Sequence, residues 1–187
     1  MSAYIINGGR RLNGSLNVQG SKNSVLPILA ATVLVKGKCV IHNCPLLSDT
    51  ECTVKILKSL GCGVRREGNT ITVDASVVSC SYIPEDLMRE MRSSIVFLGA
   101  IVGRMGEATM CAPGGCEIGL RPIDLHLYAV KRLGVNVIES HGKIICKVAE
   151  KLKGDKITLS FPSVGATENA LLLSVVAKGT TTIVNAA

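Results

Sequence analysis

The sequence predicts an α/β fold turned inside out, with apolar helices at the centre and strands and amphipathic helices around them. Three observations lead there. Three segments, 24–35, 95–105 and 170–177, are apolar almost all round. Such helices are buried on every side, and these are too short to cross a bilayer. Each is followed by a glycine and then a strand-like run, with Gly37, Gly106 and Gly179 about seventy residues apart. A second pattern, helix end, glycine, strand, turn, strand, occurs twice between them. Each unit therefore reads strand, apolar helix, strand, amphipathic helix, two-strand hairpin, written βαβαββ. The chain holds about two and a half units, an incomplete inside-out α/β barrel.

The pairings are specific. "LKSLGCGVRREGNTITV" aligns with "VKRLGVNVIESHGKIICKV", so that Lys58, Leu60, Gly61 and Val64 fall on Lys131, Leu133, Gly134 and Val137. "SVLPILAATVLVKGKCVIHN" aligns with "ALLLSVVAKGTTTIVN", matching Lys36-Gly37, Ile41 and Asn43 with Lys178-Gly179, Ile183 and Asn185. In unit one, a strand leads through Gly20 and Ser21 into the first apolar helix. The following amphipathic helix opens at Ser48-Asp49-Thr50-Glu51, which has the form of a capping box, and buries Thr53, Ile56, Leu57 and Leu60. In unit two, a strand at Ala108–Ala112 leads through a glycine loop to a helix with Pro122 near its first position. The spacing predicts that this helix buries Leu125, Tyr128, Ala129 and Leu133. Unit three offers an apolar helix over Ala170–Ala177 and a strand over Thr180–Val184, where the sequence breaks off mid-unit. The expectation is a protein that continues beyond Ala187. The uncovered apolar helix, its strand edge and an N-terminal strand at Ala3–Ile6 predict self-association of the chain taken alone.

Composition narrows the function. With 47% hydrophobic residues in 187, the chain can build a core. Aromatics make up only 3%, without tryptophan, which disfavours stacking on single-stranded nucleic acid. The net charge of +7 is dispersed, which fits anionic small substrates better than a nucleic-acid backbone. Lys151, Lys153 and Lys156 read as a solvated turn. Eight cysteines occur without a Cys-x-x-Cys pair or signal peptide, so the expectation is reduced thiols in the cytoplasm. Asn13-Gly14-Ser15 then marks only a turn. His42, His126 and His141 have no ligand spacing, and no metal or other cofactor is expected.

Two stretches suggest chemistry. In "CAPGGCEIGLRPIDLH", Gly114 and Gly115 free the backbone around Cys116, and Arg121 lies five residues on. A cation and a helix N-terminus both favour thiolate, so Cys116 fits a nucleophile or proton donor. The competing reading is an inert buried thiol, as for the other seven cysteines. In "VQGSKNSVLP", Lys22 and Asn23 stand at the start of the first apolar helix, where backbone N–H groups attract anions. The glycine spacing is not that of a phosphate-binding Walker loop. An exposed lysine on a helix cap is the alternative. "FPSVGATEN" places small residues at the matching turn of unit three, and Arg89 and Arg92 precede the second apolar helix, where either could reach the same anion or simply face solvent.

"GSKNSVLPILAA", "MRSSIVFLGAIVGR", "PGGCEIGLRPIDLH" and "FPSVGATENALLL" together resemble the bacterial enolpyruvyl transferases of peptidoglycan synthesis, the UDP-N-acetylglucosamine 1-carboxyvinyltransferases. The resemblance covers essentially the whole chain. The sister family of aromatic biosynthesis shares the fold but resembles these stretches less and lacks the cysteine loop. The resemblance implies phosphoenolpyruvate and UDP-N-acetylglucosamine as partners, with neither nucleic acid nor membrane involved. It implies Lys22 at the phosphoenolpyruvate and Asn23 beside it near the sugar. Arg92 and Arg121 would supply positive charge, Arg121 chiefly to the phosphoenolpyruvate. Arg121, Pro122, Ile123, Asp124 and Leu125, with Phe161, Pro162, Ser163 and Val164, would hold the UDP-sugar. Cys116 would be the general acid and the thiol alkylated by fosfomycin. The family's chains are more than twice as long, and their second domain supplies a catalytic aspartate and further arginines. Residues 1–20 would pack with that second domain, and 21–187 would form a truncated first domain. A non-catalytic module binding anions or nucleotide sugars is the alternative function.

Overall fold

The computed structural model describes residues 3–111 and 123–187. Residues 3–21 carry no helix or strand, and Tyr4, Ile5, Ile6, Leu12, Leu16 and Val18 are exposed. The strands expected at Ala3–Ile6 and before Gly20 are therefore not formed. Alternating apolar residues favour a strand, but a strand exists only through the ladder it pairs with, and neither segment has one.

The repeat is otherwise visible in the order of elements. Unit one contains α1 (Lys22–Ala31), β1 (Lys38–Ile41), α2 (Ser48–Ser59), β2 (Gly63–Glu67) and β3 (Thr70–Asp74). Unit two adds α3 (Glu85–Glu90) and a 3-10 helix (Arg92–Val96) that runs into α4 (Phe97–Met105). It continues with β4 (Glu107–Cys111), α5 (Asp124–Arg132), β5 (Val135–Ser140) and β6 (Lys143–Val148). Unit three gives β7 (Lys156–Thr158), α6 (Val164–Ser174) and β8 (Thr182–Val184). Helix α6 starts earlier and ends earlier than the expected span 170–177.

Strand order is β1-β3-β2 in one antiparallel sheet and β4-β6-β5 in the next. Equivalent hairpins thus pair identically. Strands β7 and β8 pair in parallel, with Ile157 opposite Ile183. A parallel bridge from Tyr82 to Thr109 repeats that relation in unit two. Among the described residues the three sheets stay separate and do not close into one barrel. Closure needs each sheet edge to pair with the next, and these edges do not.

Glycines end three helices as the sequence predicts: Gly61, Gly106 and Gly134 follow α2, α4 and α5 with positive φ, which a side chain would strain. Gly179 also has positive φ but lies five residues beyond the end of α6. The capping box of α2 is not formed. Ser48 is already helical, Leu47 is the N-cap and caps through no side chain, and Glu51 pairs with Arg66 at 2.6 Å instead. Arg66 also donates to the carbonyls of Cys44 and Pro45 and so fixes the turn before α2. The face predicted for α2 is buried throughout. In α5 the buried face is His126, Leu127, Ala129, Val130 and Leu133, while Tyr128 is exposed and Leu125 half-buried. The buried stripe is rotated from the expected one because His126 lies inside, where its ring is hydrogen-bonded to Asn169.

Of the three apolar helices, α4 is buried at every position from Phe97 to Val102. Helices α1 and α6 flank it and keep an exposed face each, at Ile28 and Leu171. The expectation of burial on all sides is thus met only by α4. Two glycines let the three come close. A Cβ on Gly99 would lie 2.5 Å from the carbonyl oxygen of Asn169, and one on Gly103 2.9 Å from Leu34 and 3.0 Å from Val176. Contacts at Gly103 join the C-terminal ends of all three helices, and contacts at Gly99 join α4 to α6 one turn earlier. The helices therefore run parallel.

The seven described cysteines are free. Burial pushes the thiols of Cys52 and Cys146 up to about 11, from 9.0. Folding thus favours the protonated thiols. Their contribution is complete below the unfolded value near 9 and is lost as pH rises through about 11. Thermal midpoints should fall across that interval, more steeply than in Cys52→Ala/Cys146→Ala; equal slopes would contradict the assignment. In the core, Leu29→Ala should cost about 2–5 kcal/mol in urea denaturation. Ile28→Ala, on the exposed side of α1, should change stability by less than about 1 kcal/mol.

Candidate active site

The parallel helices bring three N-terminal ends to one side of the domain. Lys22 opens α1, Arg92 opens the 3-10 helix before α4, and Ser163 caps α6. The 3-10 helix touches both α1 and α6, so the three ends are neighbours. Helix N-termini carry partial positive charge and N–H groups that lack a partner within the helix.

Each end is held by local geometry. Gly20 has no room for a side chain, since a Cβ would overlap the carbonyl oxygen of Asn43. Asn43 itself has φ 57°, as does its repeat equivalent Asn185 at 59°. This contact seats the turn before α1 against the chain leaving β1. The Gln19 side chain adds a hydrogen bond, accepting from the Leu46 N–H at 3.3 Å. Ser21 caps α1 through no side-chain bond, which leaves the first N–H groups of α1 without that partner. Lys22 Nζ lies 2.9 Å from Asp49 Oδ2, and both are partly exposed. Such a pair contributes little stability, so its effect is chiefly to orient the ammonium. Asn23 is exposed beside it.

In unit three, Ser163 Oγ accepts from Ala166 N–H at 3.4 Å and caps α6. Phe161, Pro162 and Val164 are exposed around that cap. Helix α5 meets α6 where Gly165 faces His126: a Cβ there would come within 2.8 Å of the ring. Asp124, exposed at the first turn of α5, and half-buried Ile123 and Leu125 thus lie at the end of α5 whose His126 meets Gly165, the residue after the Phe161–Val164 turn. Arg89 is engaged in an exposed ion pair with Glu85 within α3.

Of the residues singled out in the sequence, the structure thus gathers Lys22, Asn23, Ile123, Asp124, Leu125, Phe161, Pro162, Ser163 and Val164 at one end, with the backbone of Arg92 among them. Cys116, Arg121 and Pro122 lie outside the described residues. Sequence reasoning missed one polar cluster. Asn169, fully buried in α6, accepts from Gly99 N–H at 2.6 Å and donates to the Ile95 carbonyl at 2.9 Å. Its side-chain nitrogen also lies 2.8 Å from His126 Nδ1. The available signal was an asparagine in the middle of an otherwise apolar helix, a position that demands partners. One residue before it, burial pushes the Glu168 carboxyl up.

The sequence matches the EPSP synthase family, 3-phosphoshikimate 1-carboxyvinyltransferase, over residues 6–187. UDP-N-acetylglucosamine 1-carboxyvinyltransferase 2 of Caldanaerobacter subterraneus subsp. tengcongensis is 52% identical over 100% of the chain, and the Acinetobacter baylyi UDP-N-acetylglucosamine 1-carboxyvinyltransferase is 41% identical. In both cases the chain spans 45% of the relative's length. Among solved structures, the enolpyruvyl transferase NikO from Streptomyces tendae matches with a TM-score of 0.80 and 29% identity, covering 94% of this chain and 41% of that one. EPSP synthase from Acinetobacter baumannii matches with a TM-score of 0.70 at 15% identity, covering 91% and 40%, a likeness of fold. With the family matched from residue 6 to the last residue and the fold shared across nearly the whole chain, this protein belongs to the EPSP synthase family of 1-carboxyvinyltransferases.

Proposed function

We propose that this chain carries one side of an active site that moves the enolpyruvyl group of phosphoenolpyruvate onto the 3′-hydroxyl of UDP-N-acetylglucosamine, in cytoplasmic peptidoglycan synthesis. The observation that carries the reading is the single end where Lys22, Asn23, Asp124, Leu125 and the Phe161–Val164 turn meet at helix N-termini. Identities of 41–52% to proteins named for this transfer support the choice of sugar nucleotide. In this reading the helices and sheets are part of an inside-out barrel of about two and a half units. Residues 1–20 pack against a second domain that completes the site.

The chemistry is addition followed by elimination. The sugar 3′-hydroxyl gives up its proton to a base, assigned to the second domain's aspartate, as its oxygen attacks C2 of phosphoenolpyruvate and a separate proton is delivered to C3. A proton then leaves C3 to a base, the double bond reforms and inorganic phosphate departs. Cys116 gives the proton that C3 receives. Lys22, Arg92 and Arg121 hold the carboxylate and the phosphate, and the charge on the phosphate grows as the C–O bond breaks. Helix N–H groups at the same end bind anions without side-chain reorganisation. The turn at Phe161–Val164 and the segment Arg121–Leu125 hold the UDP-sugar.

Four outcomes are expected. Titration calorimetry should show UDP-N-acetylglucosamine binding to the chain, weakened about tenfold or more by Asp124→Ala, the usual scale for one charged hydrogen bond. No binding by the unsubstituted chain would refute the reading. Limited alkylation with peptide mapping should label Cys116 before any other cysteine. The chain alone should release no phosphate from the two substrates, because it spans 45% of relatives that carry the name. Exposed Leu171, Val175 and Val176, with the exposed N-terminal residues, favour self-association. A clean monomer by sedimentation at micromolar concentration would count against that last point.

A further inference from the structure

Asn169 does more than fill a core position. Its amide lies across the start of α4, with Oδ1 on the N–H of Gly99 and Nδ2 on the carbonyl of Ile95. Those two backbone groups are four residues apart, the pair that one α-helical turn would join. Because one is an obligate donor and the other an obligate acceptor, they fix which end of the amide is oxygen and which is nitrogen. The nitrogen then has a second hydrogen left, and it points at His126 Nδ1, 2.8 Å away. A nitrogen facing a donor must be the bare one. His126 is therefore held as the tautomer with Nδ1 unprotonated and the proton on Nε2.

The ring is boxed as well as bonded. His126 is buried, and its Cε1 occupies the space a side chain on Gly165 would need, 2.8 Å from where that Cβ would be. Gly165 directly follows the Ser163–Val164 turn, and His126 follows Asp124–Leu125. One asparagine therefore connects three segments: the helix that follows Arg92, the first turn of α5 and the first turn of α6. A buried amide with every polar atom matched allows one relative placement of its neighbours, since any slip leaves polar groups unmatched.

The geometry points to Asn169 as a positioning residue for the sugar-nucleotide side of the site, acting through a tautomer-locked His126 that sets Asp124–Leu125 against the Ser163–Val164 turn. This rests on the enolpyruvyl-transferase reading for the ligand, although the lock itself needs no ligand to be observed.

Two measurements on the 187-residue chain test it. Long-range 15N–1H NMR of the imidazoles should show His126 as the neutral Nε2–H form near neutral pH. In Asn169→Asp an oxygen replaces the donor, and the ring should switch to Nδ1–H or to imidazolium. A wild-type ring with Nδ1–H, or exchanging between tautomers, overturns the proposal, as does an unchanged ring in Asn169→Asp. Should that variant fail to fold, the wild-type signature and the His126 variants decide. By calorimetry, His126→Leu should weaken UDP-N-acetylglucosamine about tenfold or more, whereas His126→Asn, which keeps an acceptor near the Nδ1 position, should stay within about threefold of wild type. Equal affinity in His126→Leu and wild type overturns the positioning role. If wild type binds no UDP-N-acetylglucosamine, the functional reading fails, and the NMR result alone upholds or overturns the lock.

Discussion

The close parallel approach of α4 to α6 organises the rest of the molecule. Helix α4 has protein on every side, so no water compensates for a mismatch along it. Gly99 removes the side chain that would hold the helices apart, and Asn169 fills the resulting contact with an amide matched to the α4 backbone. Once this spacing is set, Gly103 can receive Leu34 and Val176 at the far end. The three N-terminal ends then come level with one another. The sheets and the amphipathic helices α2 and α5 pack around an arrangement already fixed by these contacts.

Much of this was legible in the sequence because it follows from local chemistry. Glycine at 61, 106 and 134 ends helices where φ must be positive, and those three ends fall where the sequence places them, whereas α6 stops at Ser174, five residues before Gly179. The repeat told that hairpins β2–β3 and β5–β6 are equivalent, and their registers agree. The strands before Gly20 failed for a non-local reason, since a strand needs a partner that alternation cannot supply. The capping box failed because Glu51 is better matched by Arg66, fifteen positions away in the chain.

The site was legible as residue types and illegible as a network. Lys22 and the small residues of the Phe161–Asn169 turn stand out because charge, small size and helix starts are local signals, whereas Asp124 enters only through the family resemblance. That Lys22 leans on Asp49 across to the next helix depends on how α1 packs with α2. His126 was set aside as a histidine without ligand spacing, and Asn169 drew no notice. Both are buried polar groups whose meaning lies only in their mutual distance. The same omission misplaced the buried face of α5, which is regular once His126 is counted with Ala129, Val130 and Leu133.

The parallel run of the helices has an electrostatic side. Dipoles lying side by side and pointing the same way repel, so the domain holds together three ends of like sign. Antiparallel helices would have cancelled that field. In the proposed function an anion seats among these ends, and a ligand that binds the folded form in preference to the unfolded one adds its occupancy to the folding equilibrium. In that reading stability is not a property of the chain alone: it follows the concentration of phosphate-bearing solutes around it, and buffers that differ only in their anion are different folding conditions.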